Sequence, residues 1–247
     1  ISFAEALQHF QSSELSQSQR KVRGPGRRGG LAILLCCLGG PPQLRPQLRG
    51  ERELALAMAQ CALDDSEWVH VRILQTIYQQ LTRSRLGCPR YGTHWEELGF
   101  QAKCPPKPGS IGVLSQSMDL SPIPWPWSHV DVVPQGWRCW RGGGLFIRAA
   151  GILLLFQNFP FCVMSVNITR IVIQALREGR LSRECNRRQQ VIGVLNDLYA
   201  AAFLRLFRLW KRRRGTVADA GSFLKELELS TKKKPRQLLR SLQAYLN

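Results

Sequence analysis

The residues best able to do chemistry, eight cysteines and four histidines, are scattered along the chain. No two cysteines form a C-x-x-C pair, and no histidine lies at zinc-ligand spacing from a cysteine. The glycine-rich run Arg141–Gly144 lacks the Lys-Ser/Thr pair of a phosphate-binding loop. We therefore predict no metal site and no bound cofactor, and the sequence disfavours a self-contained enzyme.

The cysteines favour a reducing compartment. An even number could form disulfides, but scattered cysteines in apolar stretches, such as Cys61 and Cys162, are typical of buried reduced thiols. No signal peptide is visible, and the apolar runs Leu31–Leu38 and Leu145–Phe156 are too short to span a membrane. We expect a cytoplasmic protein without a transmembrane segment. Because the chain begins at Ile1 rather than Met, we treat it as part of a longer protein.

Positive charge is the strongest compositional signal, with 35 Lys and Arg against 17 Asp and Glu and a formal net charge of +18. This balance favours an anionic partner: nucleic acid, an acidic membrane surface or an acidic protein. The cations cluster at Arg20–Arg28, Arg205–Arg214 and Lys232–Arg240. Arg205, Arg208 and Arg212 share a helix face, which fits a binding surface or simply a solvated helix end. No nucleic-acid motif accompanies them, so we predict no specific nucleic-acid partner.

Apolar residues recur at three- and four-residue spacing, which predicts an all-α fold. The most regular pattern lies within Glu184–Arg213, where Leu195, Leu198, Phe203 and Leu206 fall on one helix face. Glycine and charge signals mark the helix ends, with Gly179 as a predicted stop. The other predicted helices are Ser2–Phe10, Glu51–Leu63, a helix through Leu74 and Leu81 closed by Gly87, one resuming at Phe159, Phe223–Leu229 and Pro235–Leu246.

The middle of the chain breaks this helical pattern. Residues 102–137 hold seven of the fourteen prolines, and residues 125–140 hold four of the seven tryptophans. Proline removes a backbone donor and clashes with the preceding helical turn, so this stretch cannot continue a helix. We divide the chain into a segment 1–50 with a basic glycine-rich arm, a first domain part 51–101, an irregular Pro/Trp/Gly-rich insert 102–157 and a second domain part 158–247.

The blocks on either side of the insert resemble the ELMO domain family. The motif that carries the likeness begins with Trp95, followed four residues later by Gly99, Phe100 and Gln101. Further matching blocks are Glu51–Leu54, Ala59–Cys61, Leu74–Tyr78, Phe159–Cys162, Met164–Thr169, Gln174–Glu178 and Leu181–Arg187. The resemblance implies a helical ELMO-type domain, interrupted here by the irregular insert.

The resemblance also implies a function. Several ELMO proteins are GTPase-activating proteins for Arf-family GTPases, including the Arf-like GTPase Arl2. Their signature runs W-x-x-x-G-F-Q, three residues, P, two residues, D, one residue, R-G-x-G, and its arginine is taken as the catalytic finger. A guanidinium inserted beside the transferring phosphoryl group stabilises developing charge and raises GTP hydrolysis about 10³- to 10⁵-fold. Such a protein is no enzyme by itself but completes its partner's active site.

This chain matches only part of the signature. Pro105 matches the proline, but Pro108 falls at the aspartate position and Ser110 at the arginine position. Arg141 begins a displaced R-G-x-G, either a substitute finger or a coincidence in a Gly- and Arg-rich insert. We hypothesise that residues 102–157 derive from an alternative exon, a retained intron or a gene-model error.

Three functions stay open at this point. One is activation of an Arf-like GTPase such as Arl2. The second is a non-catalytic scaffold or interaction protein in cytoskeletal or trafficking processes. The third, supported only by the net charge of +18, is a basic surface that binds anionic lipid or nucleic acid. From the resemblance we expect the cytoplasm, with the cytoskeleton or actin-rich cell projections as the more specific location, and contact with the cytoskeleton or an acidic membrane surface.

Overall fold

Helices account for every regular element in the part of the chain that the computed structural model describes, which is residues 1–12, 42–61, 64–82, 84, 87 and 161–247. In chain order these α-helices are α1 (Phe3–Ser12), α2 (Arg49–Met58), α3 (Trp68–Thr82), α4 (Phe161–Arg177), α5 (Ser182–Arg188), α6 (Ile192–Arg213), α7 (Ala220–Lys233) and α8 (Pro235–Leu246). Short 3-10 turns, Pro46–Leu48 and Val217–Asp219, precede α2 and α7. The predicted all-α class is confirmed.

The main core is built around α6. Fourteen of its 22 residues are buried, so this helix is covered by its neighbours on most sides, and most of its charged residues lie in its C-terminal half. It packs against α4, α7 and α8, with further contacts from α2 and α5. Leu195, Leu198 and Leu206 are fully buried, and each such leucine contributes about 1.5–3 kcal/mol through loss of apolar surface from water.

Two left-handed residues end the helices before α6. Gly179, with φ of 71°, follows α4, and the N–H of Arg180 bonds the carbonyl of Ala175 at 3.0 Å. Gln189, with φ of 55°, follows α5 in the same way. The predicted stop at Gly179 is confirmed. The continuous helical pattern predicted over Glu184–Arg213 is wrong at this point, because Gln189 splits it into α5 and α6 without a glycine.

The end of α6 is likewise formed by a left-handed residue that is not a glycine. The left-handed residue is Arg214, with φ of 49°, and the N–H of Gly215 bonds the carbonyl of Trp210 at 2.9 Å. Gly215 is needed for space, since a Cβ there would lie 2.4 Å from a ring carbon of Phe223. The turn thus lets α7 pack its Phe223 against Trp210, with ring centroids 5.5 Å apart.

A smaller apolar cluster joins α1, α2 and α3. Its buried members are Ala6, Phe10, Met58, Val69 and Ile73. Helix α2 links the two clusters, since it also buries side chains in the main core. It ends at Met58, earlier than the predicted Leu63, and α3 ends at Thr82, before the predicted closing Gly87.

Candidate functional site

The signature residues predicted from the sequence lie outside the described residues. This holds for Trp95, Gly99, Phe100, Gln101 and Pro105, and equally for Arg141. The basic cluster Arg20–Arg28 and the irregular insert also lie outside them. The described chain brackets the signature, with α3 ending before it and α4 beginning after the insert. The roles assigned to these residues therefore stay predictions.

A carboxylate clamp ties the block before the signature to the block after it. The two oxygens of Glu51 in α2 accept the N–H groups of Val191 and Ile192, each at 2.8 Å, at the start of α6. These are donors that a helix cannot satisfy internally, and the helix dipole favours negative charge there. From the sequence, Glu51 was only the first residue of a predicted helix and of a block that resembles the ELMO family. Its partners lie about 140 residues away, so no local pattern could have revealed the clamp.

The same two blocks meet through neutral groups beside the clamp. Asn186 accepts the N–H of Arg45 at 2.9 Å and donates its amide to the carbonyl of Gln43 at 2.8 Å. Gln47 donates to the side chain of Gln189 at 2.6 Å. The chain entering α2 is thereby fixed against the α5–α6 turn. These contacts hold the end of the N-terminal segment against the second domain part.

The structure brings together a cysteine and a histidine that the sequence did not pair. Sγ of Cys61 lies 4.0 Å from Nε2 of His70, and the ring of His9 lies with its centroid 6.2 Å from that of His70. Nδ1 of His70 accepts the N–H of Asp64 at 3.0 Å, so the proton of the neutral ring sits on Nε2, facing the sulfur. In this arrangement the imidazole cannot take the thiol proton through that nitrogen.

The electrostatics of this pair oppose nucleophilic chemistry. Burial raises the pKa of the Cys61 thiol, with Asp64 and Glu67 adding to the rise. Burial also lowers the pKa of His70, and His9 lowers it further. A thiolate–imidazolium pair needs both shifts in the opposite direction. We therefore interpret these residues as part of the packing between α1 and α3.

Cys61 and Cys185 are reduced cysteines, Cys61 half-buried and Cys185 buried, while the side chain of Cys162 lies outside the described part of the chain. Burial raises the pKa of Cys185 to about 12, which keeps it protonated and unreactive. Within the described ranges no cluster of three or more His, Cys, Asp or Glu side chains could hold a metal ion. None of the helices described is long and apolar enough to cross a membrane.

The basic cluster predicted on α6 forms one wall of a cleft. The cleft has a volume of about 630 Å³ and lies between α6 and α8. Its lining residues are Ala201, Leu204, Arg205, Arg208, Leu209, Lys211, Arg212, Leu238 and Ser241. The three arginines expected on one helix face therefore do share a surface, and that surface is concave rather than only the exposed end of a helix.

The cations of this cleft differ in how they are held. Arg205 pairs with Glu226 of α7 at 3.1 Å, and Arg208 lies 5.2 Å above the ring of Tyr245. Lys211 and Arg212 are exposed, and no carboxylate of the described chain lies within ion-pair distance of them. Trp210, which lies within the basic run Arg205–Arg214, is buried against α7 and is not available for base stacking.

The chain matches the model of the ELMO/CED-12 family over residues 53–107 and 146–224, which together make up more than half of it. It is 47% identical over 257 aligned residues to ELMO domain-containing protein 3 of Bos taurus and 46% identical over 253 to that of Homo sapiens. Each alignment covers the whole chain and 61% of the relative's length. No solved structure matches. Members of the matched family are generally linked to the regulation of small GTPases, and this chain belongs to the ELMO/CED-12 family.

Proposed function

We propose that the chain regulates GTP hydrolysis by a small GTPase of the Arf-like group, with Arl2 as the first partner to test. The observation that carries this proposal is the family match on both sides of the irregular insert. The first matched block includes the signature residues Trp95, Gly99, Phe100, Gln101 and Pro105. Support also comes from the Glu51 clamp, which lies just before the first matched block and binds backbone N–H groups of the second.

In this proposal the chemistry belongs to the GTPase and its own magnesium ion. The regulator contributes binding and one guanidinium, delivered in trans to charge that develops on the transferring phosphoryl group. Ser110 cannot supply that charge from the family's arginine position. We assign the role to Arg141, the first residue of the displaced R-G-x-G.

A second function is favoured by a specific observation. Pro108 and Ser110 stand where the family pattern has aspartate and arginine. The chain therefore keeps the helices of the family but lacks the catalytic arginine at its usual position. A chain of this kind would bind an Arf-like GTPase and act as a scaffold in cytoskeletal or trafficking processes, without speeding hydrolysis.

The deciding experiment measures single-turnover GTP hydrolysis by Arl2 with increasing amounts of the chain, and binding to Arl2 loaded with a non-hydrolysable GTP analogue. A working arginine finger raises the hydrolysis rate about 10³- to 10⁵-fold. We expect Arg141→Ala to abolish the acceleration while binding persists. Arg183→Ala, which changes an exposed arginine of α5, is the matched control and should leave the rate unchanged.

The other outcomes separate the two functions. Binding without acceleration supports the scaffold and overturns the activator. Acceleration that survives Arg141→Ala shows that the assignment of Arg141 is wrong. Neither binding nor acceleration across a panel of Arf-like GTPases overturns both functions.

We also propose a location in the cytoplasm, concentrated at the cytoskeleton in actin-rich cell projections, together with contact with the cytoskeleton or an acidic membrane surface. This proposal is supported by family membership. Imaging of the tagged chain with an actin stain tests it, and a uniform distribution that ignores actin-rich projections would count against the specific location.

A further inference from the structure

A cation-lined trough crosses the junction of α6, α7 and α8. It consists of the α6–α8 cleft of about 630 Å³ and a neighbouring depression of about 330 Å³. The two adjoin, because Arg205, Leu238 and Ser241 line both. The second depression extends the trough past Leu229 to the end of α7. The result is an elongated surface rather than a single round pocket.

The charge of the trough is almost entirely positive. Its α6 wall carries Arg205, Arg208, Lys211 and Arg212, and the end of α7 adds two lysines, at positions 233 and 234. The one carboxylate among the described lining residues is Glu226. Its two oxygens are already paired, with Arg205 at 3.1 Å and with Arg213 at 3.0 Å. The remaining cations therefore present uncompensated charge that attracts an anionic ligand.

The floor and rim of the trough are apolar. Ala201, Leu204, Leu209 and Leu238 line the α6–α8 cleft. Leu229 at the rim is 55% exposed, so it adds apolar surface that a ligand can cover. A ligand that satisfies both features carries acidic groups for the wall and apolar groups for the floor.

The spacing of the cations indicates what kind of ligand fits. Arg205, Arg208 and Arg212 stand at intervals of three and four residues over two turns of α6, about 10 Å along its axis. Acidic side chains at the same intervals on a partner helix would run alongside them, with apolar side chains directed into the groove. A flat bilayer surface could contact the exposed cations but could not reach the apolar floor of the groove.

We propose that this trough binds an acidic amphipathic segment of a partner protein. The interaction does not use the signature residues or the arginine finger, so it stands independently of the proposed GTPase function. The exposed cations of the wall speed encounter and select for charge, while burial of apolar side chains in the groove slows dissociation.

The test measures binding of a fluorescent four-turn helical peptide, with glutamates on one face and leucines on the other, to the full chain by anisotropy. We expect binding that weakens as salt is raised towards physiological strength. The double variant Arg208→Glu with Arg212→Glu should weaken binding about tenfold or more, because attraction becomes repulsion at two sites. A peptide with lysines in place of the glutamates should not bind.

The matched control is Arg183→Glu with Lys225→Glu, which makes the same change in net charge at exposed positions outside the trough. It should keep near-unchanged affinity, and an equal loss in control and trough variants would overturn the proposal.

Thermal melts check folding. If the double variant melts early, Arg212→Gln alone takes its place, because Arg212 is exposed. Capture of phosphatidylserine vesicles with no affinity for the peptide would overturn the proposal in favour of a membrane surface.

Discussion

The two apolar clusters of this protein are stabilised differently, although both are made of packed helices. The main core surrounds α6, and burial there raises the pKa of Cys185 to about 12, which keeps this thiol protonated. The α1–α3 cluster is much smaller and borders His70, whose pKa is lowered below its ordinary value by burial. The main core should therefore be most sensitive to lost volume, and the α1–α3 cluster to pH.

The largest expected effect is a cavity in the main core. Leu198 is fully buried in α6, so Leu198→Ala should lower the free energy of unfolding by about 2–5 kcal/mol through lost burial and an unfilled cavity. This is a large part of the ~5–15 kcal/mol that stabilises a typical domain. Urea unfolding followed by circular dichroism measures it.

Leu229→Ala is the matched control, because it removes the same side chain from a position that is 55% exposed. Its expected cost is below about 0.5 kcal/mol. Equal losses for the two variants would show that α6 is not the centre of the stabilising core.

The next effect concerns the link between the two blocks of the chain. Glu51→Ala leaves the N–H groups of Val191 and Ile192 unpaired in buried surroundings, which should cost about 1–3 kcal/mol. Glu51→Gln keeps one amide oxygen as acceptor and should fall between the unchanged chain and the alanine variant. Chemical denaturation of the three proteins gives the order.

Glu53→Ala provides the control for the clamp. Glu53 lies on the same helix and has no hydrogen bond or ion pair within the described chain. A loss as large as that of Glu51→Ala would mean that the effect comes from helix charge rather than from the two bonds to α6.

The main core could be predicted from sequence because its signals are local. The spacing of Leu195, Leu198 and Leu206 follows the period of a helix, and Pro235 marks the first residue of α8, where its missing N–H costs nothing. The break at Gln189 could not be predicted, since only glycine or asparagine commonly signals a left-handed residue. The local pattern therefore shows helices more reliably than the points where they stop.

The candidate sites also combine local features that the sequence predicts with contacts between separate elements that it does not. Sequence spacing placed Arg205, Arg208 and Arg212 on one face, but the opposite wall of the cleft comes from α8, whose position depends on packing against α6. The meeting of Cys61, His70 and His9 likewise depends on how α1 docks onto α3. Contacts between different elements leave no repeating pattern in the sequence, so only the structure shows these features.

The last prediction concerns pH and the α1–α3 cluster. Burial is the main cause of the lowered pKa of His70, and the neighbouring His9 adds to it, while the nearby Glu67 and Asp64 act in the opposite direction. Protonation would also oppose the bond that Nδ1 accepts from the N–H of Asp64. The unfolded chain, with an ordinary histidine pKa of about 6.5, therefore takes up a proton before the folded chain does. The contribution of His70 to the free energy of unfolding is therefore fully present above the pKa of the unfolded chain. It is lost as the pH falls from there through the lower pKa of His70 in the folded chain.

The variant His70→Asn separates this effect from other titrations, because its side-chain oxygen can still accept the N–H of Asp64 but does not titrate. Urea midpoints at about pH 7.5 and about pH 5.5 should differ more for the unchanged chain than for the variant. The reason is that only the unchanged chain must keep an imidazole neutral in a buried position. An equal shift in both proteins would place the pH sensitivity elsewhere and remove the contrast between the two clusters.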